Sequence, residues 1–266
     1  MTHILIGTPS YGDHLATNYV SSILRLKELF EQRQPRVGAD FFFFSHAMVT
    51  YARNVFASRM LENPQYTHLL MIDSDMGFPT DLITNMLAFD KPIVATVYPK
   101  RTVDPQNIIT HARAMTEDTP EQRKRALAMS YEFVGESELL LIGEGAEKRL
   151  DVHNGFVRAR AAGTGIMLIK RHVFEDMLAR FPELIGSHVP GGATTLTKMY
   201  FQPFNEYTFN GVVLSEDLSF CHRWTTEMGG ELWAQIGLEI SHLGHALHSA
   251  SYIDKLLSIA TRSNLS

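Results

Sequence analysis

A single cysteine, Cys221, stands in 266 residues. No disulfide can close within the chain, and no zinc site built mainly on thiolates can form. No stretch approaches the ~20 consecutive apolar residues that a bilayer-spanning helix needs. Residues 1–7 form a short apolar run that breaks at Gly7-Thr8-Pro9. It lacks the length and the basic start of a secretory signal, so the expectation is a cytoplasmic chain without a membrane span. Basic excess is missing too. Lys and Arg number 24 against 29 Asp and Glu, a net charge of -5, which offers no whole-protein positive surface to nucleic acid. The run Arg123-Lys124-Arg125 reads as one solvated helix face. Internal repeats, low-complexity tracts and clear domain boundaries are absent as well. With 45% apolar and 20% charged residues, the chain reads as one domain able to bury a full core.

What the sequence does contain is alternation. Short apolar runs at 3–7, 39–45, 68–72 and 92–97 read as strands, and 166–169 as a further one. Between them, Thr17–Gln32, Val49–Glu62 and 79–88 carry helical spacing, as do 120–129, 172–180 and 215–228. Strands alternating with helices predict an α/β fold with a mixed, mostly parallel central sheet. Residues 100–117 show no clear period. Residues 185–210, rich in Gly, Pro, Thr and aromatics, read as a long surface loop. Residues 256–261 are expected to end the fold.

Three constellations carry chemistry. The first is Asp73-Ser74-Asp75, directly after the apolar run 68–72. Open α/β sheets bind ligands at the carboxyl ends of their strands. Two carboxylates there repel unless a cation or protons compensate, and such oxygens suit Mg²⁺ or Mn²⁺ shared with substrate phosphates. The plainer alternative is a polar turn whose Asp caps the next helix. The second is Ser215-Glu216-Asp217 at a helix head, where a carboxylate can act as general base or simply favour the helix dipole. The third is Ser241-His242-Leu243-Gly244, whose imidazole can be a metal ligand or a structural group.

In this order the motifs resemble those of nucleotide-sugar-dependent glycosyltransferases of the GT-A fold, family 2-like, and the resemblance spans nearly the whole chain. It implies a Rossmann-like nucleotide half over 1–100 and an acceptor half over 101–266. Residues 4–11, with Thr8, Pro9 and Tyr11, resemble the first strand and base-binding turn, where Tyr11 would stack on the base. Tyr51-Ala52-Arg53-Asn54 resembles the segment that places Arg53 and Asn54 near the nucleotide. Asp73-Ser74-Asp75 matches the Asp-x-Asp motif. The resemblance implies that Asp75 binds Mn²⁺ or Mg²⁺ directly, that Asp73 meets the ribose or the metal through water, and that Ser74 lies beside the donor. Gly163-Thr164-Gly165 resembles the glycine turn on the acceptor side. Glu216-Asp217 is similar to the Glu-Asp motif of inverting members, with Asp217 as the base. His242 would complete the metal set.

Lys100 or Arg101 would add positive charge at the diphosphate. The 185–210 loop would order over the donor, with Phe201, Phe204 and Tyr207 lining the acceptor or pinning the loop to the core. The expected donor is UDP- or GDP-linked, and the acceptor a saccharide or protein hydroxyl. Cys221-His222-Arg223-Trp224 only superficially resembles the Gln-x-x-Arg-Trp motif of processive synthases, and Trp224 is assigned to the core or to a stacking wall. A nucleotidyltransferase or pyrophosphorylase is the main rival. Its Gly-rich phosphate loop is poorly matched by Gly7-Thr8-Pro9-Ser10-Tyr11-Gly12. A non-catalytic sugar-nucleotide-binding protein, or a transferase acting on DNA bases, are further alternatives.

Overall fold

A computed structural model describes residues 2–186 and 197–244. The strands are β1 (His3–Ser10), β2 (Gly38–Ser45), β3 (His68–Ile72), β4 (Met76–Gly77), β5 (Ile93–Thr96), β6 (Tyr98–Val103), β7 (Tyr131–Val134), β8 (Leu141–Ile142), β9 (Arg149–Leu150), β10 (Phe156–Ala159), β11 (Ile166–Lys170), β12 (Tyr207–Phe209), β13 (Val212–Leu214), β14 (Leu232–Gln235) and β15 (Ser241–His242). The helices are α1 (Thr17–Gln32), α2 (Val49–Glu62), α3 (Asp81–Phe89), α4 (Pro105–Arg113), α5 (Pro120–Ala128), α6 (Arg171–Arg180) and α7 (Glu216–His222).

Seven strands form the central sheet in the order β10-β14-β5-β11-β3-β1-β2. β1 runs parallel to β2 and β3, and β14 parallel to β5, whereas β11 is antiparallel to both β3 and β5 and β10 is antiparallel to β14. Five of the seven strands therefore share one direction, which meets the expected mixed α/β sheet.

Period-two side-chain alternation sorts the core into two layers. Leu5, Leu69, Met71, Ile93, Ala95, Met167 and Ile169 face one way, onto Phe56 and Met60 of α2, Phe174 of α6 and Phe220 of α7. Ile4, Ile6, Leu70, Ile72, Val94, Ile166 and Leu168 face the other, onto α1 and α3 through Tyr19, Leu26, Phe30, Leu82 and Met86. Burying each large apolar side chain contributes about 1.5–3 kcal/mol, so both helix layers are fixed to the sheet. The loops at its carboxyl edge inherit that rigidity.

α2 is buried almost all round, because a second layer covers its outer side. Phe204 N–H donates to Asn54 Oδ1 (3.0 Å), Asn54 Nδ2 donates to Asn205 Oδ1 (2.8 Å) and Phe201 N–H donates to Ser58 Oγ (2.9 Å). These polar helix positions satisfy backbone groups of the covering segment, which cannot reach water. This corrects the surface-loop expectation for 185–210. Its described part packs Phe201 and Phe204 at 0% exposure, so they pin the segment to the core and do not line an acceptor. Residues 187–196 of that loop lie outside the described residues, and so does 256–261.

Two other expectations change. Residues 100–117 are not irregular, since β6 and α4 occupy most of them. α4 begins with Asp104 capping Gln106 N–H and Pro105 in its first turn, a start signal that weak apolar spacing obscures. The 215–228 helix ends at His222, and a π-helical turn, Arg223–Glu227, completes it. Trp224 joins the core, donating its indole N–H to Glu231 O at 3.0 Å.

Candidate active site

The site is built where β3 ends. Asp73 N–H donates to Gly165 O (2.9 Å) and Met76 N–H to Asp73 O (3.1 Å), which turns the chain tightly and sets the half-buried acidic pair at the carboxyl edge. β4 then pairs antiparallel with β15, setting Gly77 opposite Ser241 and His242 opposite Met76. Leu243 N–H donates to Asp75 O at 3.0 Å. Asn18 Nδ2 bridges Asp75 O and Ser241 Oγ, both at 3.2 Å. A Cβ at Gly77 would come within 2.3 Å of Ser241 Oγ, and one at Gly244 within 2.5 Å of Arg101 O. Both glycines permit close backbone approach. In this way a segment late in the chain is laid against the turn after β3, and it delivers His242 to Asp75.

Two guanidinium groups hold the acids in two layers. Arg53, 4% exposed, lies beneath. It pairs with Glu216 through Nη1 and donates from Nη2 to Asp73 Oδ1 at 3.3 Å. Burial works against the charge on Arg53, but Asp73 and then Glu216 raise its pKa above the ordinary value. Arg101 lies above, with Nη2 at 2.5 Å from Asp75 Oδ2 and Nε donating to His242 Nε2 at 2.9 Å. His242 Nδ1–H donates to Pro99 O at 2.9 Å, which fixes the neutral tautomer that presents the Nε2 lone pair.

Burial raises the pKa of Asp73 more than Arg53 lowers it, and the Asp75 charge adds to the rise. Asp75 is also pushed up by burial, but His242 and Arg101 outweigh that and hold it below the usual carboxylate range. His242 is lowered by burial and raised by more through Asp75 and the Pro99 carbonyl. Asp73 and Glu216 thus pair with Arg53, and Asp75 with Arg101, so acidic groups outnumber basic ones at the site.

Asp217 opens α7. Its Oδ1 accepts from Ser215 Oγ–H and from Leu218 N–H at 2.8 Å. Among the described residues both bonds fall on Oδ1 and none on Oδ2. Gly163 and Gly165 flank Thr164 in a buried turn. A Cβ on either glycine would meet Tyr98 at 2.5–2.6 Å, so the turn must be bare for Tyr98 to pack beneath it. Tyr98 in turn sets its ring edge-on to His242 at 5.3 Å. Thr164 Oγ1 is buried without a hydrogen-bond partner.

The remaining predicted residues are spread more widely. Thr8 is fully buried and its hydroxyl meets Tyr19 OH at 2.6 Å. Tyr11, at the open end of β1, is 77% exposed. Pro9 is half-buried between them. Asn54 braces Phe204 and Asn205 from within α2. Ser74 accepts Ala16 N–H at 2.9 Å through its carbonyl. Lys100 Nζ turns to Glu132 at 2.6 Å, so Arg101 is the cation at the acids. Tyr207 OH meets His222 Nδ1 and Glu227, each at 2.6 Å. Tyr98 and Asn18 carry no motif that marks them in the sequence, and their places appear only through the glycine turn and the β4–β15 pairing.

Among the described residues no three His, Cys, Asp or Glu side chains converge as a ready-made metal cage. The donor set nevertheless fits Mg²⁺ or Mn²⁺, which take one or two protein ligands and complete their shell with water and substrate phosphates. Asp75 Oδ1 is buried and has no hydrogen-bond partner, and Asp75 Oδ2 lies 3.6 Å from His242 Nε2. Among the described residues no helix is long and apolar enough to cross a membrane.

The seven-stranded sheet and its flanking helices define a mixed α/β fold, with the acidic pair at the carboxyl end of β3. Among solved structures the chain is similar to A197 from STIV, at 13% identity with 94% of this chain and 97% of that chain covered and a TM-score of 0.43. It is similar to the inositol-1-phosphate CTP transferase from T. maritima, at 10% identity, 97% and 95% coverage and a TM-score of 0.40. HddC from Yersinia pseudotuberculosis aligns at 9% identity, 91% and 93% coverage and a TM-score of 0.34. No family model matches the sequence, and no curated protein matches it.

Proposed function

We propose that this chain is a metal-dependent glycosyltransferase that moves a sugar from a UDP- or GDP-linked donor to an acceptor hydroxyl with inversion. The observation that carries the reading is the meeting of Asp75 with His242 at the carboxyl edge of the sheet, where a strand pairing made by residues distant in sequence brings two metal-ligand types together. Asp75 and His242 would hold Mn²⁺ or Mg²⁺, with Asp73 beside them, and the ion would supply Lewis-acid neutralisation of the charge on the leaving diphosphate.

The chain's own residues supply the rest. Arg53 keeps Asp73 and Glu216 in fixed positions beneath the site, so the acids need not reorganise when the donor binds. Glu216 is thereby a positioning residue, and Asp217 is the base. Its Oδ1 is tied down by Ser215 and Leu218 N–H, and Oδ2 takes the acceptor proton as the hydroxyl attacks the anomeric carbon and the carbon–oxygen bond to the diphosphate breaks. Tyr11, exposed just past the end of β1, would stack on the base. The buried Gly163-Thr164-Gly165 turn would act on the acceptor side through Tyr98, which packs against it.

The test is a thermal-shift and calorimetric screen of nucleoside diphosphates, nucleotide sugars and nucleoside triphosphates, with and without Mn²⁺. A ligand that binds the folded state raises its stability by mass action. A Mn²⁺-dependent rise with a nucleotide sugar, lost in Asp75→Ala, is expected. A Mn²⁺-dependent rise only with a nucleoside triphosphate would replace this reading with the nucleotidyltransferase one. No metal-enhanced nucleotide binding at all would point to a protein without this chemistry.

A further inference from the structure

The candidate site carries a cation of its own. The guanidinium of Arg101, on β6, meets both candidate ligand side chains at once: Nη2 lies 2.5 Å from Asp75 Oδ2 and Nε donates to His242 Nε2 at 2.9 Å. A divalent ion held by Asp75 and His242 would need the one Nε2 lone pair that Arg101 already engages, and a lone pair engaged by an N–H cannot coordinate at the same time; at Asp75 the guanidinium competes through its charge. We infer that Arg101 is the resident counter-ion of the Asp75–His242 pair: it holds both side chains in place and competes with the divalent cation, so that it sets how tightly the site takes Mn²⁺ or Mg²⁺. The inference rests on the reading of Asp75 and His242 as metal ligands.

Exposure, backbone support and space agree with this role. The Arg101 side chain is 56% exposed, so its charge can pass into water without a large desolvation cost, unlike that of buried Arg53. Its backbone is held, because Gly244 packs against Arg101 O and the neighbouring Pro99 carbonyl anchors His242. Only the side chain is free to leave. Beside it lies a cavity of about 610 Å³ lined by Arg101 and His242 together with Val103, Tyr131 and Phe133, which gives the guanidinium somewhere to go. Lys100 cannot take over the role, being drawn to Glu132. Arg101 also leaves the pair incompletely satisfied, since buried Asp75 Oδ1 has no hydrogen-bond partner. A divalent ion has the charge and the coordination number to satisfy both oxygens.

The experiment is Mn²⁺ binding to the full chain without nucleotide, read by electron paramagnetic resonance of free Mn²⁺ and by calorimetry. Arg101→Ala should bind Mn²⁺ at least about tenfold more tightly than the wild type, because one charge-assisted competitor is gone. Arg101→Gln, which keeps the polar stem, should fall between them and guards against a folding defect in the alanine variant. In Arg101→Ala/His242→Ala the gain should vanish. Equal or weaker Mn²⁺ binding by both single variants, or a gain that survives loss of the imidazole, overturns the inference.

A parallel titration with UDP- and GDP-sugars separates this idea from the functional reading. If Arg101→Ala tightens Mn²⁺ binding while no nucleotide sugar binds, the transferase proposal fails and the competition stands. If nucleotide sugars bind with Mn²⁺ but the variants gain no metal affinity, the competition fails and the transferase proposal stands.

Discussion

Replacing Arg53 by methionine would remove one charge from under two. Arg53 is 4% exposed and joins Glu216 to Asp73, whose side chains are 16% and 24% exposed. Methionine keeps most of the apolar stem's volume, so the change isolates the charge. Leaving partners of a buried pair uncompensated costs roughly 3–5 kcal/mol, and the partial exposure of both acids places this case near the low end, at about 3 kcal/mol. For a chain of this size that is a fall in Tm of roughly 6–12 °C. The loss should depend on pH with a definite sign. Burial and the Asp75 charge already raise the folded-state pKa of Asp73, and without Arg53 nothing beside it offsets that rise. The folded state then binds more protons, and the stability gap between variant and wild type narrows as pH falls from neutrality toward 4. Urea unfolding at several pH values measures the gap, and Arg53→Met/Glu216→Gln should recover part of it at neutral pH. A single variant losing under ~1 kcal/mol, or a gap that widens in acid, would show that Arg53 is not the group that neutralises these carboxylates.

Other consequences are as direct. Asp217→Asn should leave donor and Mn²⁺ binding intact and lower turnover by about 10²–10⁴; retention of most activity would remove Asp217 as the base and favour a retaining mechanism. Gly77→Ala should disrupt the β4–β15 pairing, since its Cβ would meet Ser241 Oγ at 2.3 Å. Metal-dependent nucleotide binding should fall more than overall stability does, and Ser241→Ala in the same chain should restore part of it; a binding curve unchanged by Gly77→Ala would contradict the pairing. Burial, and then the charge of Lys170, holds His68 down at about 4. Its folded pKa lies below the unfolded value, so the contribution is present above about pH 6.5 and is lost as pH falls toward 4, by up to ~3 kcal/mol. His68→Gln should flatten the stability–pH curve across that window, and an unaltered slope would exclude His68 as its source.

Much of the frame was legible in the sequence because it depends on local pattern. β1, α1, α2 and β3 follow from apolar runs and helical spacing, and the two-layer core from alternation within the strands. Asp73 and Asp75 announce themselves by following a strand that is apolar on both faces. The sequence could not show that β11 runs antiparallel between β3 and β5, because all-apolar Ile166-Met167-Leu168-Ile169 reads the same in either direction. Nor could it show the 197–205 segment as core. Tyr200, Phe201 and Phe204 sit among turn-forming residues, and only the buried polar groups of α2 reveal what covers them. The pairing of Arg53 with Asp73 and Glu216, and the bonds of Asn54 to Phe204 and Asn205, depend on tertiary contacts that no spacing encodes. Two-residue strands such as β4 and β15 are too short to leave a periodic signal, although their pairing delivers His242.

That pairing also sets the order in which competence can arise during synthesis. Asn18 and Ser241, joined by a hydrogen bond, lie 223 positions apart in the chain. A nascent chain emerging from the ribosome presents its acidic turn long before the imidazole that faces it has been translated. Until β15 is released, the partly made protein would hold diphosphate and cation weakly, and supplying the missing portion as a separate polypeptide is a direct way to watch the two halves complement each other.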